Sequence, residues 1–361
     1  MTEDNQPVAK GRGAAIRPQN RFVSTHSEPD LEQVGEDREY LESLRSQPTQ
    51  YLDDNSKSIV STNDSRDVFF RFSVNPYRGC AHGCSYCYAR PTHEYLGLDA
   101  GLDFETKIFV KHRAPTLFQD WLARESWQPE YIAFSGVTDC YQPAEKEYKL
   151  TRGCLEVALD ARQPIGVITK NALIARDIDL LARMSRFNAV SVAISITTLD
   201  SNLAAAMEPR TSTPHARLRT IRELTEAGIP VTAMVAPIVP GLTDSEVPAI
   251  LESVATAGAK SASYIVLRLP WNVRPVFLEW LERTQPSRKQ LVESRIRSTR
   301  NGALNAPDFG GRMRGEGEIA DQICQTFRLF ARKHGLDTEL EPLSTEHFRR
   351  PTPSSGQLRL F

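Results

Sequence analysis

Short apolar segments alternate with helical segments through the middle of the chain, and this alternation restricts the possible folds more than any other feature. The strand candidates are Tyr131–Ser135, Ile165–Thr169, Val190–Ile196, Val231–Ala236 and Ser263–Leu267. Each is rich in β-branched residues and is bounded by turn residues, as is typical of buried parallel strands. An earlier run, Val68–Val74, adds a sixth strand. The pattern predicts about six β/α units with right-handed crossovers, which is a partial (β/α)6 TIM-type barrel rather than the full eight-unit barrel.

The segments on either side of this region differ in composition. Residues 1–57 are polar and lack a sustained helical or strand period, so we expect a largely disordered segment before a core domain over 58–285. Residues 286–343 are expected to form a basic, helical extension. Eight basic against three acidic residues give a net charge of +5 over 282–314. From 344 to 361 we expect a flexible tail.

Overall charge and hydropathy limit where the protein acts and what it binds. The chain has 361 residues and a formal net charge of −1, so a nucleic-acid site would have to be a local patch. No run approaches the ~18 apolar residues of a membrane helix, and residues 1–10 lack the apolar core of a signal peptide. We therefore expect a cytoplasmic protein with no membrane partner. Six cysteines are too few for a disulfide scaffold in a chain of this length.

Three of the six cysteines lie in one glycine-containing loop that follows the first predicted strand. Cys80, Cys84 and Cys87 form the pattern C-x3-C-x-Tyr-C. Three thiolates are one ligand short of a closed structural zinc site or a fully protein-ligated four-iron cluster. An open coordination position lets a metal centre bind a substrate or cofactor. The alternative is a structural zinc site completed by His82 or His93.

The cysteine loop, including the aromatic residue before the third cysteine, resembles the signature of the radical S-adenosylmethionine (SAM) enzymes. The resemblance implies that Cys80, Cys84 and Cys87 hold a [4Fe-4S] cluster and that SAM chelates the fourth iron. It also implies the partial barrel and an external one-electron reductant such as flavodoxin or ferredoxin. In such enzymes SAM is cleaved to methionine and a 5′-deoxyadenosyl radical, which abstracts hydrogen from a substrate.

Residues after the barrel strands are the candidate SAM-binding groups, because the carboxyl ends of parallel barrel strands build the active site. After the second strand, Gly136 and Thr138 permit close approach of a ligand, and Asp139 can accept from an ammonium group. The further candidates are Lys170 and Arg210 for a carboxylate, Ser195 and Thr197 for a ribose, and Val239 for the adenine face. The alternatives are a capped turn at 136–139, a solvated charge at Lys170 and a structural ion pair at Arg210.

Within the superfamily, the cysteine loop and its flanks look like those of the group related to spore photoproduct lyase. The similarity covers about residues 58–285 and includes Asn75–Cys80, Cys87–Arg90, Val137–Asp139 and Glu208–Arg210. It implies a nucleic-acid base or DNA lesion as substrate, flipped or single-stranded to reach the barrel. Tyr86 and Tyr88 match tyrosines that return hydrogen in that lyase. Its donor cysteine would fall near Gly136, so Cys140, a few residues on, is the candidate catalytic donor.

The last five residues carry a separate indication of a partner. Gln357, Leu358, Leu360 and Phe361 resemble the peptide by which bacterial repair and replication proteins dock on the DNA sliding clamp, where apolar anchors enter a groove. The basic segment could add phosphate contacts. The alternatives are modification of RNA or of a small metabolite, and a DNA-associated metal-binding protein without turnover.

Overall fold

A curved sheet of seven strands lies at the centre of the computed structural model, which describes residues 9–23, 47–305 and 311–355. Its order is β10–β9–β8–β7–β6–β3–β2, and all neighbours are parallel except β2 and β3. A small second sheet has the order β1–β5–β4. The described strands are β1 (Gln50–Asp53), β2 (Val60–Thr62), β3 (Phe72–Val74), β4 (Tyr77–Arg78), β5 (Lys107–Val110), β6 (Ile132–Phe134), β7 (Ile165–Thr169), β8 (Val190–Ser195), β9 (Val231–Ile238) and β10 (Ser261–Val266).

Helices follow the strands and cover the outer face of the sheet. The described α-helices are Leu102–Thr106, Ala114–Leu122, Glu145–Tyr148, Leu150–Ala161, Ile178–Ser185, Ser201–Met207, Pro214–Glu226, Val247–Thr256, Val273–Thr284, Lys289–Ser298, Gly311–Arg314 and Glu318–Lys333. Short 3-10 helices occur at Arg90–Leu96, Ala172–Asp177, Asp244–Glu246 and Pro286–Arg288. Within this part of the chain, no helix is long and apolar enough to cross a membrane.

The predicted fold class is confirmed, and the reason is visible in the packing. The six parallel strands β3, β6, β7, β8, β9 and β10 fall on the predicted apolar runs. Strand residues such as Phe134, Val167, Val192 and Val235 are at most 1% exposed, because side chains from both faces of the sheet are covered. These strands form a partial barrel whose edge strands are β10 on one side and β2 on the other.

The predicted disorder of residues 1–57 is wrong for the residues of this segment that the structure describes. β1 pairs in parallel with β5, and residues 9–23, here called the N-terminal strap, pack against the domain. Ala9 and Ala14 are buried with Leu102 and Val276. The strap makes its contacts largely through backbone groups and single arginines, so it has no periodic apolar pattern for sequence analysis to detect. Residues 1–8 and 24–46 lie outside the described residues.

The tail prediction is also wrong over 344–355, where the chain runs along the outside of the barrel. Ser344 N donates to Asn188 O at 2.8 Å, and Ser354 N donates to Asp120 Oδ1 at 2.7 Å. Arg350 Nη2 donates to Trp127 O at 3.0 Å. Polar contacts to exposed carbonyl and carboxylate oxygens therefore order a segment of polar composition. The clamp-like residues 357–361 lie outside the described residues, and docking on a sliding clamp stays a prediction.

Candidate active site

The cysteine loop crosses the carboxyl end of the sheet directly after β3 and β4. Cys80 and Cys84 are buried, Cys87 is half-buried, and none of the three forms a disulfide. Gly79 has φ +75°, and a Cβ there would lie 2.8 Å from His93 Cε1 and 2.9 Å from Phe104 O. Only glycine fits this backbone position, because a side chain would meet both strain and a neighbouring carbonyl. The glycine thus allows the loop to lie directly on Phe104 and His93.

The three thiols form a donor set that fits a [4Fe-4S] cluster. Burial raises the pKa of Cys84 most, followed by Glu208 and the other two cysteines. The Cys84 thiolate is therefore stable only beside a compensating positive charge. Among the residues of 9–23, 47–305 and 311–355, no three or more His, Cys, Asp or Glu side chains are grouped to hold one metal ion. In a four-iron cluster each cysteine binds a different iron, so its ligands surround a cluster rather than a single ion.

The two histidines near the loop have protein partners. His82 is 1% exposed; its Nδ1 lies 3.4 Å from Asp139 Oδ2 and its Nε2 lies 3.0 Å from Asn171 Nδ2. His93 Nε2 lies 3.0 Å from Lys107 O, and its ring packs edge-on against Phe104. With both ring nitrogens of His82 engaged, the arrangement favours the cluster over a zinc centre completed by this residue. His82 instead joins the cysteine loop to the loops after β6 and β7.

The loop after β6 holds the cysteine loop through hydrogen bonds to the carbonyl of Gly79. Thr138 Oγ1 donates to Gly79 O at 2.6 Å, and Gln142 Nε2 donates to the same carbonyl at 3.0 Å. Asp139 accepts from Thr169 Oγ1 at 2.7 Å and from Lys170 N at 2.9 Å. Thr138 and Asp139 therefore both bind protein groups here. The role of Asp139 and Gly136 in binding the amino group of SAM stays a prediction.

A buried carboxylate, Glu208, lies beside the cysteine loop and was not among the predicted site residues. It accepts from Tyr86 Oη, from Thr197 Oγ1 at 2.7 Å, and from Arg217 Nη2. Burial alone would raise the pKa of Glu208, but Arg217, Lys170 and the hydrogen bonds from Tyr86 and Arg217 lower it to about 2. Glu208 is therefore ionised at neutral pH. It holds Tyr86 and Thr197, two predicted site residues, in a fixed position.

Lys170 lies where the sequence places it, at the carboxyl end of β7. Its Nζ is 3.3 Å from Ala236 O and 5.8 Å from the centre of the Tyr86 ring. The ammonium thus lies beside the residues that surround the cysteines, as its predicted role with a SAM carboxylate requires. Val239 is fully buried in the same apolar cluster as Cys84 and Tyr86.

Tyr88 and Ser195 occupy different environments. Tyr88 is 58% exposed, and its Oη donates to Gly136 O at 2.6 Å, so these two predicted site residues are in direct contact. Ser195 is buried, and its carbonyl accepts from Arg217 Nη1 at 3.0 Å. Tyr88 is thus open to a substrate, whereas Ser195 lies inside the barrel.

Cys140 and Arg210 lie in surroundings that differ from those expected. Cys140 is fully buried in the main apolar core, and burial raises the pKa of its thiol, so the group is protonated; its role as a hydrogen donor stays a prediction. Arg210 binds protein groups here, and its role with a SAM carboxylate stays a prediction. Its Nε donates to Gly11 O at 3.1 Å and its Nη1 to Thr49 Oγ1 at 3.2 Å, so it holds the N-terminal strap.

A buried ion pair, also missed from the sequence, fixes the cysteine loop to the N-terminal strap. Arg90 donates to Cys84 O at 2.8 and 3.0 Å and pairs with Glu105 at 2.5 Å. Glu105 also accepts from Gly13 N at 3.1 Å and Ala14 N at 2.8 Å. Arg90 lies in the flank Cys87–Arg90 that carries the family resemblance, and this was the signal that could have identified it. No local pattern pointed to Glu105 or to the strap.

Gly13 provides a test of the strap. A Cβ at Gly13 would overlap Gly83 O in the cysteine loop, so Gly13→Ala must separate the two segments. We expect a loss of about 1–3 kcal/mol in the free energy of unfolding, as for overpacking, and faster loss of iron from reconstituted protein. Denaturant unfolding under anaerobic conditions and iron release to a chelator measure the two effects.

The matched control for this test is Gly335→Ala. Gly335 has φ +67° with no atom within 4 Å of an added Cβ, so only backbone strain of about 1–2 kcal/mol is expected there. Gly335→Ala should leave iron release unchanged. If Gly13→Ala releases iron no faster than Gly335→Ala, the strap does not support the cysteine loop.

Together these features define a class: a partial β/α barrel with a three-cysteine cluster loop at the carboxyl ends of its strands. A model of the Radical SAM superfamily matches residues 74–254, about half of the chain. The chain therefore belongs to the radical SAM superfamily. Enzymes of this family use a [4Fe-4S] cluster and SAM and need a reductant, so the predicted cofactors are confirmed.

Relatives in sequence include bacterial and archaeal proteins. The chain is 38% identical over 242 residues to an uncharacterised protein of Mycobacterium tuberculosis (strain ATCC 25618 / H37Rv), covering 66% of this chain and 70% of the relative. It is 31% identical over 176 residues to an uncharacterised protein of Methanocaldococcus jannaschii, covering 49% of this chain and 63% of the relative. Neither relative carries a described activity.

Solved structures of spore photoproduct lyase share the fold. One, complexed with dinucleoside spore photoproduct, has a TM-score of 0.55 at 16% identity and covers 79% of each chain. A mutant with bound AdoMet and dinucleoside spore photoproduct has a TM-score of 0.56 at 16% identity, covering 87% of this chain and 85% of the other. The likeness confirms the fold, and the closer relationship to the spore photoproduct lyase group stays a prediction.

Proposed function

We propose that this radical SAM enzyme acts on a nucleic-acid base, most specifically a DNA lesion, in a photoproduct lyase-like reaction. The observation that carries the proposal is the half-buried guanidinium of Arg268 near the exposed Tyr88. The fold shared with spore photoproduct lyase complexed with a dinucleoside photoproduct gives further support. The cluster and SAM, when bound, supply the 5′-deoxyadenosyl radical.

This guanidinium lies at the carboxyl end of β10. Arg268 follows this strand, and its Nη1 contacts the thioether sulfur of Met313 at 3.4 Å. Its Nε is buried and has no hydrogen-bond partner among the described residues. Burial and then Arg312 lower the pKa of Arg268, whereas Asp67 and Tyr88 oppose this. Arg268 therefore holds a positive charge next to Tyr88, where a phosphate of a nucleic acid would meet it.

The chain's own residues have separable tasks in such a reaction. Tyr88 offers an exposed aromatic ring on which an extruded base can stack. Tyr86 is held by Glu208 and Thr197 next to the cysteines, so its ring and hydroxyl cannot turn away from the barrel interior. Burial and then Glu208 raise the pKa of Tyr86, which keeps it protonated as a hydrogen donor. With Cys140 buried in the core, return of hydrogen falls to the tyrosines.

The test is SAM cleavage in the presence of candidate substrates. Protein reconstituted anaerobically with iron and sulfide is given dithionite and SAM, and 5′-deoxyadenosine is quantified with ultraviolet-irradiated DNA, unirradiated DNA, RNA or no addition. We expect irradiated DNA to stimulate deoxyadenosine formation most. Arg268→Gln should weaken this stimulation by about tenfold or more, since losing one charge-assisted hydrogen bond costs about 1.5–3 kcal/mol.

The control for Arg268→Gln is Arg219→Gln on the outer helix Pro214–Glu226. Arg219 is exposed and pairs only loosely with Glu223, at 3.6 Å, so removing it should not alter stimulation by DNA. Greater stimulation by RNA than by either DNA would favour the RNA alternative. Deoxyadenosine that no nucleic acid stimulates would count against the proposal and favour a small metabolite.

A further inference from the structure

A cavity away from the cysteine loop is lined by basic residues that the proposed reaction does not use. It lies where the parallel strands β1 and β5 end together, at their last paired residues Asp53 and Val110. Its volume is about 480 Å³. Lys57, Lys111 and Arg113 are among its lining residues, and it opens next to the helix Ala114–Leu122. Cavities of this size accommodate small-molecule ligands.

Lys111 is the unusual member of this lining. The residue as a whole is 7% exposed, and its ammonium group has no hydrogen bond or ion pair within the described parts of the chain; the ammonium is not fully buried and lines the cavity. Burial lowers the pKa of Lys111 to about 8, despite the attraction of Asp54, so the group is still charged at neutral pH. A buried charge without a partner is costly, and folded proteins normally pair such a group or place it against a ligand.

The neighbouring carboxylates already have other partners. Asp54 accepts from Arg78 Nε at 2.7 Å and from Ser56 N at 2.9 Å. Asp53 is paired with His112, with Nε2 to Oδ1 at 3.0 Å. Neither is within ion-pair distance of Lys111. The cavity therefore keeps a surplus of positive charge.

The nearby helix adds to this positive potential. The helix Ala114–Leu122 has nine residues, and its first residues follow directly on Lys111 and Arg113. Its N-cap, Arg113, supplies no side-chain hydrogen bond to the first turn. Ala114 N already donates to Lys111 O at 2.7 Å and Pro115 has no N–H, so this helix end contributes the positive potential of its dipole rather than a row of free amides.

We propose that this cavity binds a phosphate group, with the Lys111 ammonium as its central contact and Lys57 and Arg113 at its rim. The phosphate belongs either to a nucleic-acid strand or to a free phosphate ester. Lys111 N donates to Pro76 O at 3.0 Å, so the site adjoins the segment that leads into the cysteine loop. The site stands on its own residues and does not depend on the proposed reaction.

The experiment uses the full chain and two probes: inorganic phosphate, followed by calorimetry, and a fluorescent single-stranded oligothymidylate, followed by anisotropy. Lys111→Met keeps the aliphatic stem and removes the charge, and we expect at least tenfold weaker phosphate binding. Lys260→Met is the matched control, because Lys260 is exposed just before β10 and should leave phosphate affinity unchanged.

The folded state of Lys111→Met is checked by thermal unfolding. Since no ion pair is lost and a buried charge is removed, its unfolding temperature without phosphate should equal or exceed that of the wild type. Phosphate should raise the unfolding temperature of the wild type but not of Lys111→Met. If this variant does not fold, Lys57→Met at the exposed rim replaces it, with an expected loss of about threefold.

The two probes separate the sources of the phosphate. Weaker binding of both probes by Lys111→Met supports the site and assigns it to a strand, whereas weaker binding of inorganic phosphate alone supports it and assigns it to a free phosphate ester. Equal phosphate affinity in Lys111→Met and wild type, or no phosphate binding by the wild type, overturns the proposal. Both results are independent of whether DNA stimulates SAM cleavage.

Discussion

Replacing Cys84 by alanine is expected to abolish both cluster binding and SAM cleavage. Cys84 is one of three thiols that the glycine-rich loop holds together, and its carbonyl is fixed by Arg90. Removing a residue that hydrogen-bonds to a metal ligand typically weakens metal binding by roughly 10–100-fold. Removing a ligand itself leaves the cluster with two protein ligands and should weaken its binding by more. We expect iron and sulfide per chain, and 5′-deoxyadenosine, to fall to background.

The matched control is Cys324→Ala. Cys324 lies on the helix Glu318–Lys333, partly buried against the main core, and carries an equivalent thiol away from the loop. It should retain full iron content and SAM cleavage. If Cys84→Ala keeps its full iron content but forms no 5′-deoxyadenosine, Cys84 is needed for catalysis and not for binding the cluster. Zinc rather than iron in anaerobically purified wild-type protein would contradict the cluster assignment altogether.

The strands and the cysteine loop were predictable because their signals are local. Each parallel strand is a short β-branched run, and the three cysteines with Gly79 lie within a few residues of one another. The place of active-site loops at the carboxyl ends of strands is a general property of such barrels. Lys170 and Thr138 could therefore be located near the cysteines from the sequence alone.

The direction in which the Cys140 side chain points could not be predicted, because it depends on the backbone conformation of one preceding residue, Ser135. Ser135 has φ +87°, a left-handed conformation uncommon outside glycine, and its Oγ donates to Ile168 O at 2.7 Å. The same Oγ accepts from Cys140 N at 3.1 Å. This turn directs Cys140 into the core rather than towards the barrel opening, and no sequence pattern specifies it.

The buried ion pairs were missed for a different reason: their partners are distant in the sequence. Glu105 meets the N-terminal strap through Gly13 and Ala14, which precede it by more than 90 residues. In the sequence such a carboxylate cannot be distinguished from a surface residue, because its partners become its neighbours only in the folded structure. Glu208 was noted only as part of a motif with Arg210, but its structural partner is Arg217, on the following helix.

The Glu208–Arg217 pair gives the largest expected effect on stability. Both side chains are at most 2% exposed, and Arg217 also donates to Ser195 O at 3.0 Å. Removing one partner of a buried pair leaves an uncompensated charge and typically costs about 3–5 kcal/mol. We expect Arg217→Met to lower the free energy of unfolding by this amount, measured by anaerobic urea denaturation at neutral pH. Arg219→Met on the same helix removes an exposed pair and should cost under about 1 kcal/mol.

The pair also predicts a dependence on pH. The pKa of Glu208 is lowered to about 2, against about 4.3 in an unfolded chain. A lowered carboxylate pKa stabilises the fold above the unfolded value, and this contribution is lost as the pH falls from about 4 towards 2. The double variant Glu208→Gln with Arg217→Met lacks both charges, so it should be more stable than either single variant and lose less stability in acid. A double variant less stable than Arg217→Met would show that Glu208 stabilises the fold mainly through its hydrogen bonds from Tyr86 and Thr197 rather than through the ion pair.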